Sequence, residues 1–141
     1  MGLNFKQCID MKELGLAFVN ISEPRTEDSM LKILLYGSKN DTNLLVAPQE
    51  LVAPLEPVTT IQVDFPSYVK YSVTYDDYTI YDNNETYEGD SFRIYCSSKL
   101  LDSFDPVHIL FKKQIKHYAF ACIEHFVEVI SYDEPRIRFL P

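Results

Sequence analysis

The 141-residue sequence predicts an α+β protein, predominantly antiparallel β-sheet with one or two short helices. Three observations carry that expectation. Val69, Tyr71, Val73 and Tyr75 alternate with Tyr68, Lys70, Ser72 and Thr74, the period of a strand that buries one face. Phe92, Ile94 and Cys96 repeat the alternation against Arg93 and Tyr95. Between His117 and Tyr132, β-branched and aromatic residues dominate, which favours two strands joined near Glu124 and His125. A buried helix is the alternative there, because a short apolar run is not assigned by periodicity alone.

The other elements follow in chain order. Phe5, Ile9, Met11, Leu14, Leu16 and Phe18 stand at mixed spacings, which fits a short helix from about Phe5 to Glu13 and a strand beginning near Gly15. The polar run from Ser22 to Ser29, with Pro24 inside it, reads as a loop. Leu31 to Tyr36 reads as a strand, ended by Gly37 and by the turn formers Ser38, Asn40 and Asp41. Proline lacks the ladder donor, so Pro48, Pro54, Pro57 and Pro66 leave room only for short or edge strands such as Val58 to Val63. Leu44, Leu45, Val46, Leu51, Val52 and Leu55 are too apolar for a flexible linker, and an ordered crossover packed on the sheet is expected. A second strand from Tyr78 to Tyr81 and turns at Asp82 to Glu85 and Glu88 to Asp90 complete a meander with Phe92 to Cys96. Ser98 then caps a short helix through Leu100, Leu101 and Phe104, which stops before Pro106.

Length and composition bound the function. A single domain spanning 1–141, with 46% hydrophobic and 13% aromatic residues, has enough apolar material for a sizeable core. Its apolar stretches fall far short of the roughly 18 residues that span a bilayer, so no membrane association is expected. The N-terminus lacks a basic region, an apolar region and a cleavage site in succession, and Lys6 stands where a myristoylation signal wants Ser or Thr. Three widely spaced cysteines, Cys8, Cys96 and Cys122, do not form the even, dense pattern of a disulfide scaffold. A cytoplasmic protein with reduced thiols is expected. The formal net charge of -8 repels nucleic-acid phosphates and anionic membranes and accelerates encounter with a basic protein.

No catalytic residue and no cofactor is expected. Cys96, His108, His117, Cys122 and His125 are of metal-ligand type, but a structural zinc site wants two closely spaced pairs, and residues 122 and 125 of one strand point to opposite faces. The run Asp82 to Glu88 starts like a calcium loop, yet Tyr87 stands at the glycine position and Arg93 at that of the final glutamate. Neither a phosphate-cradling loop nor a dinucleotide fingerprint occurs. The biased feature is the segment Tyr71 to Phe92, which holds Asp76, Asp77, Asp82, Glu85, Glu88 and Asp90 and no Lys or Arg. Tyr68, Tyr71, Tyr75, Tyr78, Tyr81, Tyr87 and Tyr95 crowd the same neighbourhood, seven of the ten tyrosines. Tyrosine offers rigid amphipathic contact area, and carboxylates among tyrosines form charge-assisted pairs with Arg or Lys of a partner. The candidate partner-binding residues are therefore Tyr75, Asp76, Asp77, Tyr78, Tyr81, Asp82, Glu85, Tyr87, Glu88 and Asp90. A solvated outer face with cross-strand tyrosine pairs is the competing explanation.

Phe92-Arg93-Ile94-Tyr95 with Ser98-Lys99-Leu100-Leu101-Asp102, and the run His117 to His125 continuing to Ser131-Tyr132-Asp133-Glu134-Pro135, give the chain a resemblance. It resembles small bacterial immunity proteins of contact-dependent inhibition or polymorphic toxin systems. That resemblance implies a cytosolic protein that binds a cognate basic toxin, often a nuclease, and blocks its active site or an adjacent surface. Two rivals remain: a small cytosolic enzyme using Cys122, His117 or His125 with Glu124, and an acidic nucleic-acid mimic or adaptor.

Overall fold

The computed structural model of the chain describes residues 2–11, 13–39, 58–79, 83–104 and 115–140. Among these residues, ten strands form two five-stranded antiparallel sheets. The first sheet has the order β1-β10-β4-β3-β2, with β1 Gly2–Leu3, β2 Gly15–Ser22, β3 Leu31–Ser38, β4 Thr59–Phe65 and β10 Arg136–Leu140. The second has the order β5-β9-β8-β7-β6, with β5 Lys70–Tyr75, β6 Thr86–Gly89, β7 Phe92–Ser97, β8 Lys116–Ala121 and β9 His125–Ser131. Two short helices, α1 Phe5–Ile9 and α2 Lys99–Asp102, and a 3-10 turn at Asp76–Tyr78 complete the described elements. The architecture is thus the mainly antiparallel α+β class that the alternating residues predict. No described helix is long and apolar enough to cross a membrane.

Each sheet buries the residues that alternation assigns inward. Leu31, Ile33 and Leu35 of β3 and Ile61, Val63 and Phe65 of β4 are fully buried, as is Ile137 of β10. From the second sheet come Phe92, Tyr118, Phe120, Val127 and Val129, and all of these belong to one apolar cluster. Phe65 meets Tyr118 and Phe120 edge to face at centroid distances of 5.6 and 6.3 Å, so the sheets pack on each other through aromatic rings. Phe5 of α1 enters the same cluster against Phe92, Tyr118 and Phe120. The helix is placed by a capping box in which Asn4 accepts from the Gln7 backbone and Gln7 accepts from the Asn4 backbone. At the strand ends the sheets also join through backbone, Ala17 bridging Ile123 with Ile123 N–H donating to the Leu16 carbonyl.

Several sequence expectations need correction. Gly37 and Ser38 do not end β3 but pair within it, Gly37 opposite Leu16 and Thr59. A Cβ on Gly37 would stand 2.8 Å from Ile61 Cδ1, so glycine serves close packing here rather than a turn. The strand expected at Val58 to Val63 is β4, and it lies in the middle of its sheet; Pro66 falls outside its ladder and costs it no donor. Of the strand expected at 78–81, Ile80 and Tyr81 lie outside the described residues, and Tyr78 belongs to the 3-10 turn that follows β5. The partner of β5 is β9, and β5 and β6 occupy opposite edges of the sheet. Expected strands at 117–132 are present as β8 and β9, with Glu124 taking a left-handed φ of 71° at the turn between them. The short β1 and β10 carry no counterpart in the sequence expectation. The apolar crossover residues 44–55, Tyr81, Asp82 and His108 lie outside the described residues.

Candidate functional site

Alternation in the second sheet also sends a set of side chains outward. Along β7, Phe92 and Ile94 turn toward the core, which directs Arg93 and Tyr95 to the other face. Phe126 and Glu128 do the same along β9, as does Thr74 along β5. Strand β6 contributes Tyr87, which pairs with Tyr95 in the ladder and meets its ring at 5.5 Å. Gly89 makes the β6–β7 hairpin possible: its φ is 102°, and an added Cβ would stand 1.9 Å from the Phe92 carbonyl oxygen. Together these residues, with Tyr78, Thr79, Asn83 and Glu85 from the segment leading to β6, line an open cleft of about 550 Å³.

The cleft holds a cation of its own. The Arg93 guanidinium lies 4.3 Å from the Tyr87 ring centre and 5.8 Å from that of Phe126, and its Nε donates to the Asp90 carbonyl at 2.6 Å. Burial raises the Tyr95 phenol above its ordinary pKa; Arg93 opposes that shift, while Glu128 and Glu85 add to it. Both carboxylates are anchored. Glu85 Oε2 accepts from the Lys99 backbone N–H at 2.8 Å, at the first turn of α2. Glu128 Oε2 stands 2.7 Å from His117 Nε2.

Behind the cleft wall a buried relay continues from that histidine. His117, 1% exposed, stacks on Tyr95 at 4.1 Å with the rings 9° from parallel. Its Nδ1 lies 2.7 Å from Ser98 Oγ, and Ser98 Oγ accepts from the Leu101 N–H at 3.2 Å as the cap of α2. Ser98 Oγ and Glu128 Oε2 thus bracket the two ring nitrogens of His117, and the Leu101 N–H, Ser98, His117 and Glu128 form one hydrogen-bonded chain. Serine, histidine and glutamate in line have the composition of a nucleophilic triad, but Ser98 is 3% exposed, caps a helix and does not line the cleft. The relay holds Glu128 and α2 in place.

The predicted site residues divide. Tyr78, Glu85 and Tyr87 line the cleft. Tyr75 sits at the end of β5 against His125, at 5.6 Å, away from the cleft. Asp76 and Asp77 are exposed in the 3-10 turn, Asp90 in the hairpin, and Glu88 on β6 opposite the inward-facing Ile94. The tyrosines of that neighbourhood divide as well: Tyr68 and Tyr71 donate their hydroxyls to Glu23. Thr74, Thr79, Asn83, Arg93, Tyr95, Phe126 and Glu128 complete the cleft and are not among the predicted site residues. Alternation along β7 and β9 put each pair on one face, but only strand order brings β6, β7 and β9 to a common surface.

The residues of the enzyme reading do not converge. His117 lies near the start of β8 and Cys122 just past its end, about 16 Å apart at roughly 3.3 Å per residue. Burial pushes the Cys122 thiol up to about 12, the reverse of an activated nucleophile. Glu124 is exposed, and His125 packs between Phe18 and Tyr75. Among the described residues no group of three or more His, Cys, Asp or Glu side chains is arranged to hold a metal ion. Comparisons of the chain with family models, with curated proteins and with solved structures give no match.

Proposed function

We propose that the protein is an immunity-type inhibitor that binds and neutralises a basic partner toxin, a nuclease being the expected class. The cleft on the outer face of the second sheet is the surface we assign to that contact. The observation that carries the reading is the pairing of exposed aromatic area with carboxylates already held in position: Tyr78 is 79% and Tyr87 43% exposed, beside Glu85 and Glu128. Anchored carboxylates lose little freedom on binding, and rigid aromatic rings supply contact area at low entropic cost. The net charge of -8 steers a basic protein toward this surface at long range.

Co-expression tests the reading directly. A toxic C-terminal domain is expected to be encoded immediately upstream of this chain and to arrest growth when produced alone, and the chain is expected to restore growth and to co-purify with it. Tyr87→Ala with Glu85→Gln should abolish protection while leaving the circular dichroism unchanged. Persistent growth arrest with wild-type chain present, or a neighbourhood that encodes no toxic domain, sinks the proposal.

A further inference from the structure

The cleft has a feature that a plain acidic surface lacks. A guanidinium already occupies its aromatic floor, and that guanidinium comes from the chain itself. Arg93 lies over Tyr87 at 4.3 Å and near Phe126 at 5.8 Å. Among the described residues it forms no ion pair with a carboxylate, although Glu85 and Glu128 line the same cleft. Those two carboxylates use one oxygen each, Oε2 of Glu85 for the Lys99 N–H and Oε2 of Glu128 for His117. The other oxygen of each has no partner among the described residues. A flat cation with several N–H donors suits this arrangement, having a face to stack on the rings and an edge of donors for carboxylates that line the same cleft. A point-charge ammonium matches it less well, having no planar face to stack.

We propose that the cleft is a receptor for an arginine side chain of the partner protein, and that Arg93 is an internal occupant which moves aside when the partner's guanidinium enters. The inference rests on the reading of this cleft as the partner-binding surface and names the group it takes. A volume of about 550 Å³ exceeds one guanidinium, so the arginine enters with its aliphatic stem and flanking backbone. Holding Arg93 on Tyr87 keeps the aromatic floor covered in the free protein. It also sets the affinity, because two like charges cannot share the floor without cost.

The test uses the whole chain, with acetyl-arginine-methylamide as the probe and backbone amide shifts as the readout. Saturable shifts are expected at Tyr87, Tyr95 and Phe126, weaker with the lysine analogue and absent with the glutamate analogue. Arg93→Gln should tighten arginine binding by about three- to tenfold, the size expected for one cation–π contact at a partly exposed site, and Arg93→Lys should fall between that variant and the wild type. Glu128→Gln and Tyr87→Ala should each weaken it. If Arg93→Gln instead abolishes the shifts, or if the glutamate analogue or inorganic phosphate produces them in the wild type, the cleft is an anion receptor and the proposal is overturned. Absence of saturable shifts in both wild type and Arg93→Gln overturns it as well. Arginine binding without toxin protection would leave this inference standing and remove the inhibitor function; protection indifferent to every cleft variant would do the reverse.

Discussion

The two faces of the second sheet are built from alternate residues of the same strands. Inward, Phe92, Ile94, Tyr118, Phe120, Val127 and Val129 pack into the apolar cluster shared with the first sheet. Outward, Arg93, Tyr95, His117 and Glu128 form a chain of stacking, hydrogen-bonded and charged contacts, with Phe126 among them. The inner face is tolerant of chemistry and intolerant of volume, since its contacts are non-directional and close-packed. The outer face is the opposite: small losses of volume leave little behind, but a changed donor or acceptor disconnects a relay. A substitution therefore reports which face it belongs to by whether stability or binding moves.

The sharpest way to break this comparison is to truncate matched residues on the two faces. Phe120→Ala on the inner face should cost about 3–5 kcal/mol in urea denaturation, as expected for a buried aromatic ring that leaves a cavity. Tyr87→Ala on the outer face, 43% exposed, should stay within about 1 kcal/mol and act on binding instead. Equal losses would mean that the outer face is structural.

A smaller effect is expected in the relay, which lies between the two regimes. His117→Leu removes a buried partner of both Ser98 and Glu128 and should cost about 1–3 kcal/mol, while Ser98→Ala, losing the α2 cap, should cost about 1 kcal/mol. Both should also weaken partner binding, because Glu128 loses the contact that orients it. Unchanged affinity in a folded His117→Leu protein would show that Glu128 does not depend on the relay.

The carboxylate outside the cleft gives a pH-dependent comparison. Hydrogen bonds from Tyr68, then Tyr71, and the nearby Arg25 hold Glu23 below its ordinary carboxylate pKa of 4.5. A depressed folded-state value means stability that is present above the unfolded pKa and lost as the pH falls through the folded one. Tyr68 and Tyr71 are raised, chiefly by their bonds to Glu23, so their share is present below their ordinary value of 10.0 and lost as the pH rises past it. Denaturation midpoints of wild type and Glu23→Gln should thus converge below pH 4.5 and separate at neutral pH. Curves that stay parallel throughout would detach Glu23 from the phenols.

The thiols provide the mildest contrast, with no expected change in stability. Burial raises Cys8 to about 11 and Cys122 to about 12, whereas Cys96 is exposed on β7. Iodoacetamide at neutral pH should alkylate Cys96 first, and Cys8 and Cys122 only in denaturant, as read by peptide mass spectrometry. Early labelling of Cys122 would reveal local opening at the β8–β9 turn.

Much of the secondary structure was legible. The alternation at 69–75 and 92–96 marked β5 and β7, aromatic and β-branched residues marked β8 and β9, and Ser98 marked the start of α2. The terminal strands were not: Gly2–Leu3 is too short to show a period, and Arg136–Leu140 alternates over only five residues after Pro135. Tyr78 failed for another reason. Its neighbours read as a strand, but the backbone turns there, with Asp76 N–H donating to the Glu124 carbonyl and Thr79 N–H closing onto Asp76. Of the candidate site, Tyr78, Glu85 and Tyr87 were found through the bias toward carboxylates and tyrosines, and Arg93 was passed over because the segment was defined by lacking basic residues.

Which side chains share a face of a strand depends on geometry within that strand, so the sequence by itself determined that Arg93 accompanies Tyr95, whereas Phe126 accompanies Glu128 only once 125–131 is a strand rather than a helix. Which strands lie beside each other depends on contacts between distant residues, and only the tertiary structure decided it. By pairing β5 with β9 and carrying β6 to the far edge, it separated Tyr68 and Tyr71 from Tyr87 and set Arg93 among the cleft's carboxylates. Local alternation says where a side chain points; the non-local ladder says what it meets there.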